Sequence, residues 1–168
     1  LIHGSDDAQI VDLKSGKVVK TWNPPGDYGN TWVNFDGELI GNASQNYKHP
    51  EKGYVDVFTV YDAVDHKEYM HLAGEYLWRK PLFDRDQQEV FIYQTSGDEG
   101  RVVSMDYVSG EVKKTYFTTK KFSTVVMTMA FSDDREKVYI GIADNAINSY
   151  FNVYHRKTGE LIEKVRLS

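Results

Sequence analysis

The stretch VSMDYVSG at residues 103–110 decides the fold, because the same pattern recurs along the chain. Related stretches are QIVDLKSG at residues 9–16, NVYHRKTG at 152–159 and, less closely, TVYDAVDH at 59–66. Each begins with an alternating apolar run, continues into a turn at Asp or His and leads to a second run. Gly at the last position favours a turn residue with positive φ. The pattern therefore predicts hairpins at regular intervals.

A second pattern lies between these hairpins. FDRDQQEVFI at residues 83–92 matches FSDDREKVYI at 131–140, and FDGELI at 35–40 is a shorter version. Each reads as a strand, a polar turn and a strand. Their first residues, Phe35, Phe83 and Phe131, are 48 residues apart, which is close to the spacing of the hairpins. Two patterns with one period indicate a repeated unit of four strands, which we label a to d in chain order.

These repeats predict an all-β chain of 14 or 15 short strands in four-stranded antiparallel meanders. One such unit cannot bury both of its faces, whereas units stacked around an axis can. We therefore predict a single β-propeller segment over 1–168, with an incomplete blade at 1–22 and blades at about 30–73, 76–118 and 124–168. The expected segment of three and a half to four blades belongs to a seven- or eight-bladed ring. The alternatives are an open sandwich or barrel of short strands and a four-bladed ring closed by residues 1–4.

Composition narrows the classes of function. The 168 residues carry a net charge of −5, with no basic patch interleaved with aromatic residues, which argues against nucleic acid as a partner. No apolar run approaches the length of a membrane-spanning helix. The absence of cysteine excludes disulfides and thiolate metal sites. The sequence contains no P-loop, no nucleophile elbow and no His-Glu-x-x-His motif, so its catalytic residues are unknown.

The repeat resembles the blades of the superfamily that includes the YVTN-type surface proteins and the large subunit of quinoprotein amine dehydrogenases. AFSDDREKVYI at 130–140 resembles its Ser-Pro-Asp-Gly and Tyr-Val segment, and VDLKSG at 11–16 and MDYVSG at 105–110 resemble its Val-x-Asp-x-x-Thr-Gly segment. The resemblance implies propeller blades and favours a periplasmic or extracellular location. The quinone-binding type of repeat has Trp four residues after Gly, where this chain has Lys20, Lys114 and Glu163. No quinone site is therefore predicted. The five histidines are scattered along the sequence, so no metal site is predicted, and no cofactor is expected.

Antiparallel strands alternate their ends, so the b–c loops and the d–a connections lie on one face of a blade, which we call the loop face. The sequence predicts long irregular segments there, at 23–30, 45–54, 95–101, 118–123 and 144–149. Function tends to lie on such loops. The candidate binding residues are Tyr28, Trp32, Tyr47, His49, Trp78, Asp98, Arg101 and Asp144. The competing interpretation is that most of them are ordinary solvated residues and that the tryptophans pack between blades.

The sequence thus favours a non-catalytic binding or scaffold module. Its expected partner is a protein, either the rest of a propeller or another subunit, and a small-molecule ligand is the second option. The alternative is the propeller subunit of a quinoprotein amine dehydrogenase-like periplasmic oxidoreductase, whose cofactor would belong to a companion chain. A lactonase-like hydrolase with carboxylates on its loops is a third, less favoured hypothesis. Fold alone does not distinguish these functions.

Overall fold

The computed structural model describes residues 2–3, 8–22, 28–34, 36–65, 67–73, 79–96, 98–120, 124–144 and 148–167. These residues form fifteen β-strands, and no helix occurs among them, as the repeats predicted. The strands are β1 Ile2–His3, β2 Ala8–Val11, β3 Val18–Trp22, β4 Tyr28–Val33, β5 Leu39–His49, β6 Gly53–Asp62, β7 Lys67–Ala73, β8 Leu82–Asp84, β9 Glu89–Ser96, β10 Glu99–Asp106, β11 Val112–Thr119, β12 Thr124–Phe131, β13 Lys137–Asp144, β14 Asn148–His155 and β15 Leu161–Leu167.

The strands form four separate antiparallel sheets, each a meander of consecutive strands. The first sheet has three strands, β1 to β3, and the other three sheets have four each, β4 to β7, β8 to β11 and β12 to β15. The first sheet thus has one strand fewer than the other three. The chain divides into two compact units, residues 1–75 with the first two sheets and residues 76–168 with the last two. β1 pairs with β2 at one edge of the first sheet, and β15 pairs with β14 at one edge of the fourth.

The turn before the last strand of each sheet uses the same kind of hydrogen bond. The Oδ1 atom of Asp106 accepts the backbone N–H groups of Val108 and Ser109 at 2.8 and 2.9 Å. Oδ1 of Asp62 accepts two such N–H groups in the second sheet, and Oδ1 of Asp12 accepts the N–H of Ser15 at 2.7 Å in the first. In the fourth sheet the acceptor is a histidine, because Nδ1 of His155 accepts the N–H of Thr158 at 3.2 Å. The side chain at this position therefore serves as a turn acceptor, whether it is a carboxylate or an imidazole.

Glycine ends three of these turns for a conformational reason. Gly16, Gly110 and Gly159 have φ angles of 67°, 76° and 76°, in the left-handed region that glycine adopts without strain. The N–H of Gly110 donates to the carbonyl oxygen of Asp106 at 2.8 Å and closes the turn. His66, which replaces glycine in the second sheet, lies outside the described residues.

The stretch Asn42-Ala43-Ser44, which matches the Asn-x-Ser/Thr motif for N-glycosylation, lies inside the second sheet. Asn42 is buried in β5, and its Nδ2 donates to Oγ1 of Thr31 on the neighbouring strand β4 at 3.1 Å. Ser44 is also buried, and its hydroxyl donates to Oδ1 of Asn42. A buried and hydrogen-bonded amide is not accessible to a modifying enzyme in the folded chain.

Each compact unit has a core of its own. In the first unit, the buried residues Ile40 and Tyr61 pack with the partly buried residues Ile10, Val33 and Ala63. Ile10 belongs to the first sheet and the others to the second or its turn, so this cluster lies where the two sheets meet. In the second unit a larger cluster joins the third and fourth sheets. Its buried members are Phe91, Tyr93, Val102, Tyr116, Val126, Met129, Val138, Ile140, Ile142 and Tyr154.

Aromatic rings form the centre of the second unit's core. The ring of Phe91 lies 5.3 Å from that of Tyr116 and 5.1 Å from that of Phe131, measured between centroids. Tyr116 in turn meets Tyr154 edge to face at 5.9 Å. Phe91 and Tyr116 belong to the third sheet, whereas Phe131 and Tyr154 belong to the fourth. The two sheets are therefore held face to face by large apolar side chains, as expected of adjacent blades.

A buried ionic cluster links the same two sheets beside this core. Arg156, whose side chain is 13% exposed, donates through Nη1 to Oδ2 of Asp84 at 2.7 Å and through Nη2 to Oε2 of Glu89 at 2.6 Å. Its guanidinium carbon also lies 4.8 Å from the ring centroid of Phe131. Arg156 follows the fourth sheet's third strand, and Asp84 and Glu89 flank the third sheet's first turn. The cluster therefore lies at the end of the blades that carries the turns between the first and second strands and between the third and fourth strands. We call this end the turn face, and it is opposite the loop face.

Candidate functional site

The loop face of the first unit carries a hairpin that projects beyond its sheet. Tyr28 at the start of β4 pairs with Gln45, and Ala73 at the end of β7 pairs with Val57. Within the described residues, 46–56 therefore pair only with one another, through Tyr47 with Val55, Lys48 with Tyr54 and His49 with Gly53. We call residues 46–56 the projecting hairpin. The prediction of an irregular loop at 45–54 is wrong here, because the strands continue past a bulge at Ser44–Tyr47.

Side chains within the projecting hairpin fix its conformation. Nδ1 of His49 accepts the backbone N–H groups of Glu51 and Lys52 at 3.1 and 3.2 Å, and so closes the turn at the tip. The ring of Tyr47 meets that of His49 edge to face, with centroids 6.4 Å apart. Both side chains are half-buried. Tyr54, by contrast, is 72% exposed and is held in place by its strand pairing with Lys48. The hairpin therefore presents Tyr54 to solvent from a defined backbone.

On the loop face of the second unit, a chain of polar contacts crosses between the third and fourth sheets. The hydroxyl of Tyr93 donates to the carbonyl oxygen of Thr124 at 3.4 Å, and Oγ1 of Thr124 donates to Oδ1 of Asp144 at 3.3 Å. Tyr93 belongs to the core cluster and lies on the third sheet, and Thr124 is the first residue of the fourth sheet. This chain of contacts holds the loop-face ends of the two sheets together.

Burial raises the pKa values of two tyrosines at this end of the unit. Burial raises the pKa of Tyr93, and the positive charge of Arg79 opposes the shift. Burial also raises the pKa of Tyr150, and the negative charge of Asp144 adds to the effect. Both phenols therefore remain protonated at neutral pH. They act as hydrogen-bonding and packing groups at this end of the unit, and neither is poised as a base.

The other predicted site residues fall in different places. Arg101 is exposed on β10, and its Nε donates to Oε1 of Gln94 on β9 at 2.9 Å. Asp98 is exposed in the short turn between these strands, so the charges of Asp98 and Arg101 share one tight hairpin. Trp32 is half-buried and next to the end of β4 that leads to the turn face, away from the loop face. The side chain of Tyr28 and all of Trp78 lie outside the described residues.

Sequence reasoning placed Tyr54 in a loop-face segment but did not select Tyr54, Tyr93 or Thr124 as candidate binding residues. A signal for Tyr93 exists in Gly100, a glycine inside strand β10, because such a glycine often marks a close approach of another group. A Cβ atom added at Gly100 would lie 2.9 Å from two carbons of the Tyr93 ring and would also overlap its hydroxyl oxygen. The missing side chain at Gly100 therefore leaves room for the Tyr93 ring to lie over β10, from where its hydroxyl contacts Thr124 of the fourth sheet.

Gly100→Ala is expected to lower the free energy of unfolding by about 1–3 kcal/mol, because the new methyl group forces the Tyr93 ring out of its place. Urea unfolding of the purified chain measures the change. In a Tyr93→Ala background the obstruction is gone, and the same substitution should cost less than about 0.5 kcal/mol. An equal loss in both backgrounds would show that the glycine is needed for a reason other than the Tyr93 ring.

Two further classes of site were searched in the described residues. No group of three or more His, Asp or Glu side chains in them is arranged to hold a metal ion. None of the described residues belongs to a helix long and apolar enough to cross a membrane. On the described loop face of the first unit, the main feature is therefore the projecting hairpin with its aromatic residues. On that of the second unit, it is the polar link between the sheets, with exposed charges beside it.

Comparison with known proteins identifies the architecture. No protein-family model and no curated protein matches the sequence. Among solved structures, the chain is similar to hydrazine synthase from Kuenenia stuttgartiensis, with a TM-score of 0.65 and 12% identity over 96% of this chain and 43% of that one. It is also similar to the β-propeller domain of the Trilobed protease from Pyrococcus furiosus, with a TM-score of 0.62 and 10% identity over 86% of this chain and 45% of that one.

A third similar structure is TolB from Acinetobacter baumannii, with a TM-score of 0.57 and 15% identity over 94% of this chain and 36% of that one. The chain spans less than half the length of each of these proteins. At such identities the likeness shows the fold alone, and that fold is the β-propeller, as the repeats predicted.

Proposed function

We propose that this chain is a non-catalytic β-propeller binding module whose loop face holds a protein partner, with the projecting hairpin as the main contact. The observation that supports this most directly is Tyr54, a large aromatic side chain that is 72% exposed on a hairpin of fixed geometry. A tyrosine has few rotatable bonds and a polar end, so a partner can bury it at a small entropic cost. A rigid strand pair ending in such a residue suits recognition.

The rest of the hairpin supports the same role. The His49 and Tyr47 side chains are engaged within the hairpin and stiffen it, so its shape exists before a partner binds. Preformed contact elements lose less entropy on association than flexible loops. Charged side chains surround the tip, with Lys48, Glu51 and Lys52 exposed beside Tyr54. An aromatic anchor within a ring of charge is the composition of a protein-binding patch, with an apolar centre and a polar rim.

The predicted residues of the second unit take a smaller part in this proposal. Asp98 and Arg101 present opposite charges on the loop face of that unit, and Asp144 is half-buried in the polar link between its sheets. We assign Asp98 and Arg101 to recognition and Asp144 to positioning of the surface. The resemblance to YVTN-type blades supports a periplasmic or extracellular site of action.

A photo-crosslinking amino acid at position 54 tests the proposal in the cells that produce the protein. Position 13 is the matched control, because Leu13 is 96% exposed but lies in a turn on the opposite face. We expect a crosslinked protein at position 54 and none at position 13. Equal crosslinking at both positions, or crosslinking at position 13 alone, would place the contact surface elsewhere.

Tyr54→Ala should weaken binding of the crosslinked partner by at least tenfold, since a buried aromatic anchor contributes about 2 kcal/mol or more to an interface. The free energy of unfolding should change by less than about 0.5 kcal/mol, because the side chain is exposed. Titration calorimetry and urea unfolding measure the two quantities. Leu13→Ala, which also truncates an exposed apolar side chain, should change neither. Unaltered affinity in Tyr54→Ala would contradict the assignment of Tyr54 as the anchor.

A further inference from the structure

The fourth sheet has two faces with different surroundings. One face, with Val138, Ile140 and Tyr154, packs on the third sheet in the core of the second unit. The other face, which we call the outer face, carries Tyr139, Phe151 and Val165, as the strand pairings show. Tyr139 and Phe151 are half-buried, and Val165 and the nearby Leu167 are 39% and 45% exposed. The outer face therefore has an apolar centre that is partly open to solvent, and it also carries the buried Val153 and the exposed Glu163 and Lys137.

The repeat shows what covers the corresponding face of the third sheet. By the two repeated sequence patterns, Tyr139 occupies the place of Phe91, Phe151 that of Val102 and Val165 that of Tyr116. These third-sheet residues are all buried, and they belong to the cluster that packs on the fourth sheet. The same positions are thus covered by a blade in one sheet and exposed in the next.

Phe151 lies on the outer face in a way that suits such a covering. A Cβ atom at Gly141 would lie 2.9 Å from the Phe151 ring and 2.8 Å from the Thr128 methyl group. The ring and the methyl group therefore lie over the backbone of β13 and fill the space above this glycine. This arrangement gives the sheet a filled apolar surface, which favours close packing against a second sheet.

The two positions that hold Arg156 on the third sheet carry different groups on the fourth sheet, in a turn that also contains Asp133, Asp134 and Glu136. On the third sheet, Asp84 and Glu89 receive the guanidinium of Arg156 from the covering blade. The corresponding positions of the fourth sheet are Ser132 and Lys137, a hydroxyl and a cation. Lys137 is exposed. An arginine at the equivalent turn of another blade would meet a like charge there, whereas a carboxylate would find a partner.

We propose that the outer face of the fourth sheet binds a further four-stranded β-blade, outside residues 1–168, that carries Asp or Glu at the turn position where the fourth sheet carries Arg156. Tyr139, Phe151 and Val165 correspond to residues that a neighbouring blade covers in the third sheet, so the expected occupant is a blade. Lys137 is a cation, so the expected group on the turn of that blade is a carboxylate. The proposal concerns the second unit and does not depend on the projecting hairpin of the first. The failure of either one leaves the other intact.

A charge-swap series tests the proposal with a defined probe. The chain is extended after residue 168 by a second copy of residues 120–168, which supplies a blade of known fold. The copy of Arg156 is either kept or changed to Glu, and each version is made with native Lys137 and with Lys137→Glu. Hydrogen exchange of the β13 to β15 amides and urea unfolding are measured for all four proteins. Lys164→Glu, a change on the other face of β15, is the control.

We expect Lys137 with the copied Glu, and Lys137→Glu with the copied Arg, to be the two well-covered combinations. Exchange of the β13 to β15 amides should slow at least tenfold in these two relative to the like-charge combinations. Lys164→Glu should leave the preference unchanged. Protection that does not depend on the charge combination would overturn the proposed role of Lys137.

A crosslinker at position 165 of the unextended chain provides an independent measurement, because it does not require the added copy to fold. The proposal expects a crosslinked peptide from a β-blade repeat with Asp or Glu at its turn. A peptide from a helix, a peptide from a second copy of this chain or the absence of any crosslink would overturn it. The proposed occupant is not a second copy of this chain, so sedimentation of the purified chain should show no dimer through this face. A dimer that Val165→Asp abolishes would contradict the proposal.

Discussion

Arg156→Ala is expected to lower the free energy of unfolding of the second unit by about 3–5 kcal/mol, because it leaves two carboxylates without their cation. Asp84 and Glu89 are buried, and the Arg156 guanidinium contacts both within 2.7 Å. Arg135 lies 3.5 Å from Asp84, but its side chain is largely exposed and compensates little of this loss. Urea unfolding at neutral pH measures the change.

Arg166→Ala is the matched control for this experiment. Arg166 is an exposed arginine whose Nη2 donates to Oδ1 of Asn148, so its loss should cost less than about 1 kcal/mol. A triple variant that combines Arg156→Met with Asp84→Asn and Glu89→Gln should recover much of the stability, since it removes the buried charges together. If Arg156→Ala and Arg166→Ala were equally mild, the cluster would not be what links the two sheets.

Phe91→Ala is expected to cost about 3–5 kcal/mol, because it empties the centre of the same core. The Phe91 ring is fully buried between Tyr116 and Phe131 and lies 5.6 Å from the guanidinium carbon of Arg156. Its removal leaves a cavity that neighbours from two sheets can fill only by moving apart. Denaturant unfolding gives the loss, and the near-ultraviolet circular dichroism of the tyrosines reports the change in packing.

Two substitutions bracket this result. Phe91→Leu keeps most of the volume and should cost less than about 1.5 kcal/mol. Phe151→Ala truncates the same residue type on the open outer face of the fourth sheet, where the ring is only half-buried, and should cost less than Phe91→Ala. A cost of Phe151→Ala as large as that of Phe91→Ala would mean that exposure on the two faces does not determine the contribution of a ring.

The strands could be predicted from sequence because their signals are local. For the fourth sheet, the repeats predict strands at 125–131, 138–143, 150–155 and 161–167, and the structure has β12 to β15 within two residues of those bounds. Alternating apolar residues set the strands, and a turn that needs an acceptor and a glycine sets where they end. These signals act over fewer than about ten residues, so a repeat of the sequence is a repeat of the structure.

The contacts between sheets could not be predicted in the same way. Arg156 is 72 residues from Asp84 and 67 from Glu89 along the chain, and neither repeat pattern marks them as partners. The projecting hairpin was also missed, because its strands face solvent and lack the apolar alternation that identifies a half-buried strand. Tyr47 and His49 were recognised as loop-face residues. Their role as supports for the exposed Tyr54 depends on a bulge and a turn that composition does not show.

The histidine that replaces aspartate at one turn separates two tasks of that segment. Nδ1 of His155 closes the turn by accepting the Thr158 N–H, as the carboxylates of Asp12 and Asp106 do in their sheets. A nitrogen acceptor does so without adding a carboxylate next to Arg156, so the guanidinium of Arg156 has no competing anion on the adjacent residue. It is therefore directed to Asp84 and Glu89 of the third sheet, and the same short segment both ends a hairpin and links two sheets.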